Sequence, residues 1–168
     1  VSARKVLLLG EIGVGKSSLA RRLVTGKFET AYIPTIGVDV YSYDVPADAA
    51  GGPLTLILWD TDGNLGESVF GHVYSRQATA AVIVGDVTRR ATLNTMVSLG
   101  DGFTAAFPGR AASFVVNKVD LLHEAETPEL PAALSQPGVD LTLTSALTGA
   151  NVKDAFHRVA ATILRRGQ

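Results

Sequence analysis

Cysteine is missing from all 168 residues, which excludes disulfides, thiolate metal sites and thiol catalysis. It also removes, within this stretch, the residue to which prenyl and palmitoyl chains are attached, so no direct lipid anchor is expected. Charge is scarce: Asp, Glu, Lys and Arg make up 18% and nearly cancel to −1, where an average domain carries about a quarter. There is neither the basic excess that nucleic acid binding calls for nor an acidic solvating tail. No apolar run approaches the ~18 residues of a membrane span, and no signal-like segment follows Val1. What remains is a chain that is 46% hydrophobic. That suffices for one compact domain over residues 1–168 and is too short for two comfortable ones. The expected location is the cytoplasm, and a start at Val1 suggests a trimmed chain or a piece of something longer.

Apolar runs alternate with helical patterns. "RKVLLLG" (4–10), "VDVYSYDV" (38–45), "LTLILWD" (54–60), "ATAAVIVGDV" (78–87), "ASFVVNKVD" (112–120) and "VDLTLTSA" (139–146) read as strands. The polar, glycine-rich "PADAAGG" between the second and third makes them a long-looped antiparallel hairpin. Helices are expected over 16–26, with Leu19, Leu23 and Val24 on one face, and over 90–107, where Gly100 and Gly102 each cost about 1 kcal/mol relative to Ala. A third is expected over 127–135, opening on "TPEL" with a Thr cap and Pro in the first turn. The last, over 151–166, places Val152, Phe156, Val159 and Ile163 on one face. Strands alternating with helices imply an α/β fold with a mostly parallel sheet and right-handed crossovers. Ligands bind such sheets at the carboxyl ends of the strands, here the loops after residues 9, 60, 86, 117 and 144.

"GEIGVGKS" (10–17) fits G-x-x-x-x-G-K-S between an expected strand and an expected helix. Gly10, Gly13 and Gly15 let consecutive N–H groups, that of Val14 among them, turn inward around a phosphate. The helix that opens with Ser17 and Ser18 adds the positive end of its dipole. Lys16 supplies a point charge, and the Ser17 hydroxyl is a hard oxygen suited to Mg²⁺. This loop specifies a nucleoside triphosphate and leaves the base open.

"NKVD" (117–120) addresses the base. The Asp120 carboxylate can accept two N–H bonds from the edge of guanine, a donor pair that adenine lacks. Asn117 both donates and accepts, and the Lys118 stem can lie along a flat ring. "TSA" (144–146), one strand later, offers the Ser145 and Ala146 N–H groups to a carbonyl oxygen. Alone, "NKVD" would be an ordinary turn; its force comes from its place about a hundred residues after the phosphate loop.

With "GEIGVGKSS", "TIGVD" (35–39), "WDTDG" (59–63), "NKVD" and "TSA" in that order, the chain resembles the Ras-like small GTPases over nearly its whole length, nearest to the Rab branch. The resemblance implies a three-layer fold with a mostly parallel six-stranded sheet, one antiparallel edge strand and helices on both faces. It implies GTP and GDP as ligands and Mg²⁺ held by Ser17, Thr35 and Asp60. Phe28 would sit against the base edge and Tyr32 over the outer phosphate. The Gly63 N–H would touch the third phosphate. Leu147, in the last motif with Ser145 and Ala146, would contribute to nucleotide binding. The hydrolytic step would rest on Lys16, Thr35 and the residue at position 64. Effectors, exchange factors and activating proteins would meet loops that order only in the triphosphate state.

Several positions depart from that pattern. Asn64 stands where the family has a water-positioning glutamine, and its amide falls short by one bond, ~1.5 Å. A misplacement of ~1 Å can cost about a hundredfold in rate. Ile12 is bulky where relatives are small and can crowd an incoming arginine finger, itself worth ~10³–10⁵ in rate. Asp62 replaces an alanine: it is a solvated loop carboxylate, an outer-shell Mg²⁺ group or a repulsive charge. Leu147 replaces a lysine, and Glu67 is a distant substitute for the glutamine. Trp59, Tyr41, Tyr43 and Ile36 read either as an effector patch or as half-buried hairpin residues. His72, His123 and His157 show no ligand spacing and read as surface residues. Arg21 and Arg22 read as the solvated face of the first helix. The expected function is a guanine-nucleotide switch with slow hydrolysis. The alternatives are a GTP-binding module or pseudo-GTPase with little hydrolysis, in a larger protein or alone, and a phosphotransferase, for which no acceptor-binding arginine cluster is present.

Overall fold

The computed structural model describes residues 2–28, 37–61 and 76–168. Strands β1 (Ser2–Leu9), β2 (Val38–Val45), β3 (Leu54–Thr61), β4 (Ala80–Asp86), β5 (Ala111–Asn117) and β6 (Leu141–Leu143) form one sheet in the order β2-β3-β1-β4-β5-β6. β2 runs antiparallel to β3 at one edge, and every other neighbouring pair is parallel. The β2–β3 link carries a single helical turn, α2 (Ala47–Ala50), closed by Gly51 at φ 86°.

Three longer helices cover the two faces: α1 (Lys16–Thr25), α3 (Arg90–Ala106) and α4 (Val152–Arg165). The alternation of β1 shows why both faces are covered. Val6 and Leu8 point to a core shared with Leu19 and Leu23 of α1 and Phe156, Val159 and Ile163 of α4. Leu7 and Leu9 point to a second core with Leu93, Met96 and Phe103 of α3. β4 is buried along its whole length, as a central parallel strand between two helical layers must be. Gly100 has its own packing reason inside α3: a methyl there would come within 2.5 Å of the Phe114 ring.

Four expectations need correction. Residues 127–131 form no helix; a single 3₁₀ turn spans Ala132–Ser135 after Pro131. The Thr cap and Pro128 suit a helix start, but Pro131 would fall in its interior, lack the required N–H and clash with the carbonyl four residues back. Val24 is 42% exposed, so the buried stripe of α1 is Leu19, Ala20 and Leu23. The last two strands are shorter than their apolar runs. After Asn117 the chain turns through Lys118, at φ 68°, into the 3₁₀ turn Val119–Leu121, and β6 spans only Leu141–Leu143. At the carboxyl ends the residues left outside the strands, 118–120 and 144–146, are those of the expected base-reading loops. His157 is not a surface residue: half-buried on α4, it hydrogen-bonds the Tyr43 hydroxyl of β2 through Nε2 at 2.8 Å.

Candidate functional site

The carboxyl ends of β1, β3, β4, β5 and β6 lie along one edge of the sheet, where β1 runs into residues 10–17. The loop's shape depends on glycine at two points. A Cβ on Gly10, at φ 149°, would strike the Val84 carbonyl of β4, and one on Gly15, at φ 104°, would strike the Asn117 amide. Gly15 leads directly into α1, and the Gly15 carbonyl accepts the first helical bond from the Leu19 N–H at 2.9 Å.

Three successive carbonyls of the loop are each taken by a side chain outside it. Arg89 Nη2 donates to the Ile12 oxygen at 2.9 Å, Lys118 Nζ to the Gly13 oxygen at 2.7 Å, and Asn117 Nδ2 to the Val14 oxygen at 3.0 Å. A trans peptide points its N–H opposite to its carbonyl, and among the described residues none is cis. Holding these carbonyls outward therefore turns the N–H groups of Gly13, Val14 and Gly15 into the loop. The Val14 N–H spans it, reaching the Glu11 carbonyl at a long 3.4 Å. Lys16 is 6% exposed, and its Nζ lies over the same loop, donating to the Gly10 oxygen at 2.9 Å and the Glu11 oxygen at 3.2 Å. Inward amides, an ammonium and a helix N-terminus make a cradle for an anion. Ser18 is half-buried in the first turn of α1.

Asn117 joins the phosphate loop to the loop after β6. Its Oδ1 accepts from Thr144 Oγ1 at 3.1 Å and from the Ala146 N–H at 3.2 Å. Asp120 is exposed, and its Oδ1 accepts from Ser145 Oγ at 2.7 Å, so its remaining acceptor capacity faces outward. Leu147 is 49% exposed, while its carbonyl and that of Thr148 accept from Arg22 at 3.4 and 3.1 Å. Arg22, half-buried, is thus also a brace between α1 and this loop. Phe28 packs, half-buried, against the core on the α1 and α4 side.

On the other flank, Ser17 Oγ hydrogen-bonds Asp60 Oδ2, at the end of the wholly buried carboxylate on β3. Two hard oxygens and no imidazole or thiolate at this point form a donor set that fits Mg²⁺, which takes one or two protein ligands beside phosphate and water. No cluster of three or more His, Cys, Asp or Glu that could hold a metal occurs among the described residues. Tyr32, Thr35 and Ile36, and likewise Asp62, Gly63, Asn64, Glu67 and His72, lie outside the described residues. Trp59 is half-buried against the α3-side core, with Lys5 Nζ 3.8 Å from its ring centroid, whereas Tyr41 and Tyr43 pack on the opposite face.

The family model "Ras family" matches residues 5–165. The chain belongs to the Ras family. It is 36% identical over 165 residues to human Ras-related protein Rab-4B, covering 96% of this chain and 76% of that protein. Against the Ypt/Rab-type GTPase YPT7 of Saccharomyces cerevisiae it is 33% identical, covering 98% of this chain and 83% of that protein. Against Ras-related protein Rab5A of rice it is 30% identical over 167 residues. It is a Rab-like small GTPase, and its motifs and sheet fit that family.

Sequence reading left one strand-end loop of this Rab-like chain without a motif, the one after Asp86, and the structure fills it. The Asp86 side chain is 3% exposed; its Oδ2 meets Lys118 Nζ at 3.0 Å and Arg89 Nε at 3.2 Å. Its Oδ1 accepts from the Thr88 N–H at 2.9 Å and from Thr88 Oγ1 at 2.6 Å. Burial pushes this carboxyl upward, but the Thr88 bonds and the Lys118 ammonium overcome it and hold the pKa below its ordinary 3.8. Farther along α3, Thr95 Oγ1 donates to Glu11 Oε1 at 2.7 Å. The available signal was position: Asp86 ends a fully apolar strand at the edge where ligands bind.

Proposed function

We propose that this chain is a Mg²⁺-dependent guanine-nucleotide switch, binding GDP and GTP in one domain over residues 1–168 and hydrolysing GTP slowly. The observation that carries it is the position of Asn117, whose one amide bonds Val14 of the phosphate loop and both Thr144 and Ala146 of the last loop. A purine selected by Asp120 and phosphates gripped at residues 13–17 are thereby registered to each other. Ser17 and Asp60, with Thr35, would hold Mg²⁺, which supplies positive charge to the outer phosphates. Residues 29–36 and 62–75 are the expected contacts of effector, exchange factor and activating protein, since the relatives bear Rab names. Among the described residues no helix is long and apolar enough to cross a membrane.

Slow hydrolysis is read from Asn64, one methylene shorter than glutamine, and from Ile12, which is 57% exposed at the loop. A second reading, a nucleotide holder with no useful hydrolysis, rests on the same two residues. Single-turnover measurement of phosphate release decides: Asn64→Gln is expected to accelerate release, by up to about a hundredfold if reach is the whole defect. A native rate equal to or above that of the variant overturns the slow-hydrolysis reading. No release from either, with tight GTP retention, selects the holder.

A further inference from the structure

We propose that Arg89 is a positioning residue for the phosphates: by holding the Ile12 carbonyl from outside the loop it aims the Gly13 N–H at the outer phosphate. The inference rests on the nucleotide reading above and adds a residue from the β4–α3 turn.

The peptide between Ile12 and Gly13 needs such a hold. Gly13 sits at φ 79°, a region open to glycine, and a glycine-flanked peptide unit rotates with little steric resistance. Rotation would point the Gly13 N–H away from the loop and its carbonyl partner inward, against an anion. Arg89 opposes that. Nη2 donates to the Ile12 oxygen at 2.9 Å, while Nε is fixed to Asp86 Oδ2 at 3.2 Å. The guanidinium lies alongside Gly13, with Nη2 3.4 Å from the place a Cβ would occupy.

An exposed ion pair is ordinarily worth little. Here the arginine side chain is 45% exposed but the carboxylate only 3%, and that carboxylate is locked by Thr88 and Lys118 as well. The Asp86–Arg89 turn is closed by an Arg89 N–H bond to the Asp86 carbonyl at 3.0 Å. The planar fork therefore starts from a fixed base and reaches a main-chain acceptor in a fixed direction. A lysine ammonium is compact and cannot bond both Asp86 and Ile12 through spaced donors.

Dissociation of labelled GDP from the full chain, with GMP competition, tests this on native protein, Arg89→Ala, Arg89→Lys and Arg90→Ala. Arg89→Ala is expected to raise the GDP dissociation rate about tenfold, the scale of one hydrogen bond to a charged group. Its preference for GDP over GMP should narrow, since the outer phosphate loses a contact. Arg89→Lys should stay fast despite its charge. Arg90→Ala, which removes a cation 3.8 Å from Glu129 on the same helix end, should match native. Rescue by lysine, or equal weakening of GDP and GMP, overturns the proposal in favour of charge or general structure. An unchanged Arg89→Ala rate in a protein that retains GDP sinks the inference alone. Native protein that retains no GDP sinks the nucleotide reading and the inference with it.

Discussion

Under the proposed function Asp120 would choose the base, and one of its acceptor sites is already taken. One oxygen accepts from the Ser145 hydroxyl at 2.7 Å, which leaves acceptor sites on the carboxylate for a ligand. Asp120→Asn preserves the volume and the Ser145 bond but presents an amide donor where guanine also presents donors. Its preference for GDP over ADP is expected to fall roughly ten- to hundredfold, the scale of a bidentate base contact of ~1–3 kcal/mol. Xanthosine diphosphate, with a carbonyl in place of the exocyclic amine, should gain. Calorimetry with the three diphosphates reads this directly, and an undiminished guanine preference would remove Asp120 from base reading. Asp120, Lys16 and Ser17 were legible as motif members because the expected chemistry lies in their side chains, which stand at fixed spacings. Arg89, Arg22 and Lys118 in its second role were not. Their partners are backbone carbonyls, 77, 125 and 105 positions away, and every residue has a carbonyl, so no pattern of side chains reveals which one is taken.

At the scale of elements, the same limit appears at segment ends. The long periodic pattern of α4 foretold its buried face, because four apolar residues at helical spacing have one packing solution. Over 127–135 one local signal, the Thr–Pro start, competed with another, the interior Pro131, and the second won. The link between β2 and α4 was invisible for a different reason: Tyr43 and His157 are 114 positions apart. Their rings stack at 5.8 Å between centroids. Burial lowers the His157 pKa from its ordinary 6.5; Asp154 and Asp48 of α2 pull it up, and Lys153 pushes it down. The folded state therefore binds this proton less readily than the unfolded chain. Stability is fully present above about pH 6.5 and is lost as pH falls through 6.5 toward the lower folded value. Melting temperatures between pH 7.5 and 5.5 should thus decline more steeply for native protein than for His157→Gln, which can keep a bond to Tyr43 without gaining charge. Parallel profiles for the two proteins would show that His157 titrates no differently when folded.

At the scale of the whole molecule, the sheet order explains why one ligand can report on everything. β1 lies between β3 and β4, so the loop that leaves it has the Asp60 carboxylate on one side and the Asp86 brace on the other. Both cores meet at this strand, Val6 and Leu8 in one and Leu7 and Leu9 in the other. A ligand seated on the loop after Leu9 is held by a strand common to both layers, and its binding free energy stabilises the fold as a unit. At a hundred times its dissociation constant a ligand adds about 2.7 kcal/mol, and a chain of this length gains about 2–4 °C per kcal/mol. GDP with Mg²⁺ should therefore raise the melting temperature by about 5–10 °C in one cooperative transition, and ADP at the same concentration should not. Chelating Mg²⁺ should shrink the GDP shift, since Ser17 and Asp60 would no longer act through a cation. If ADP matches GDP, base selection at Asp120 is wrong. If chelation changes nothing, the Ser17–Asp60 pair binds no ion that matters to the nucleotide.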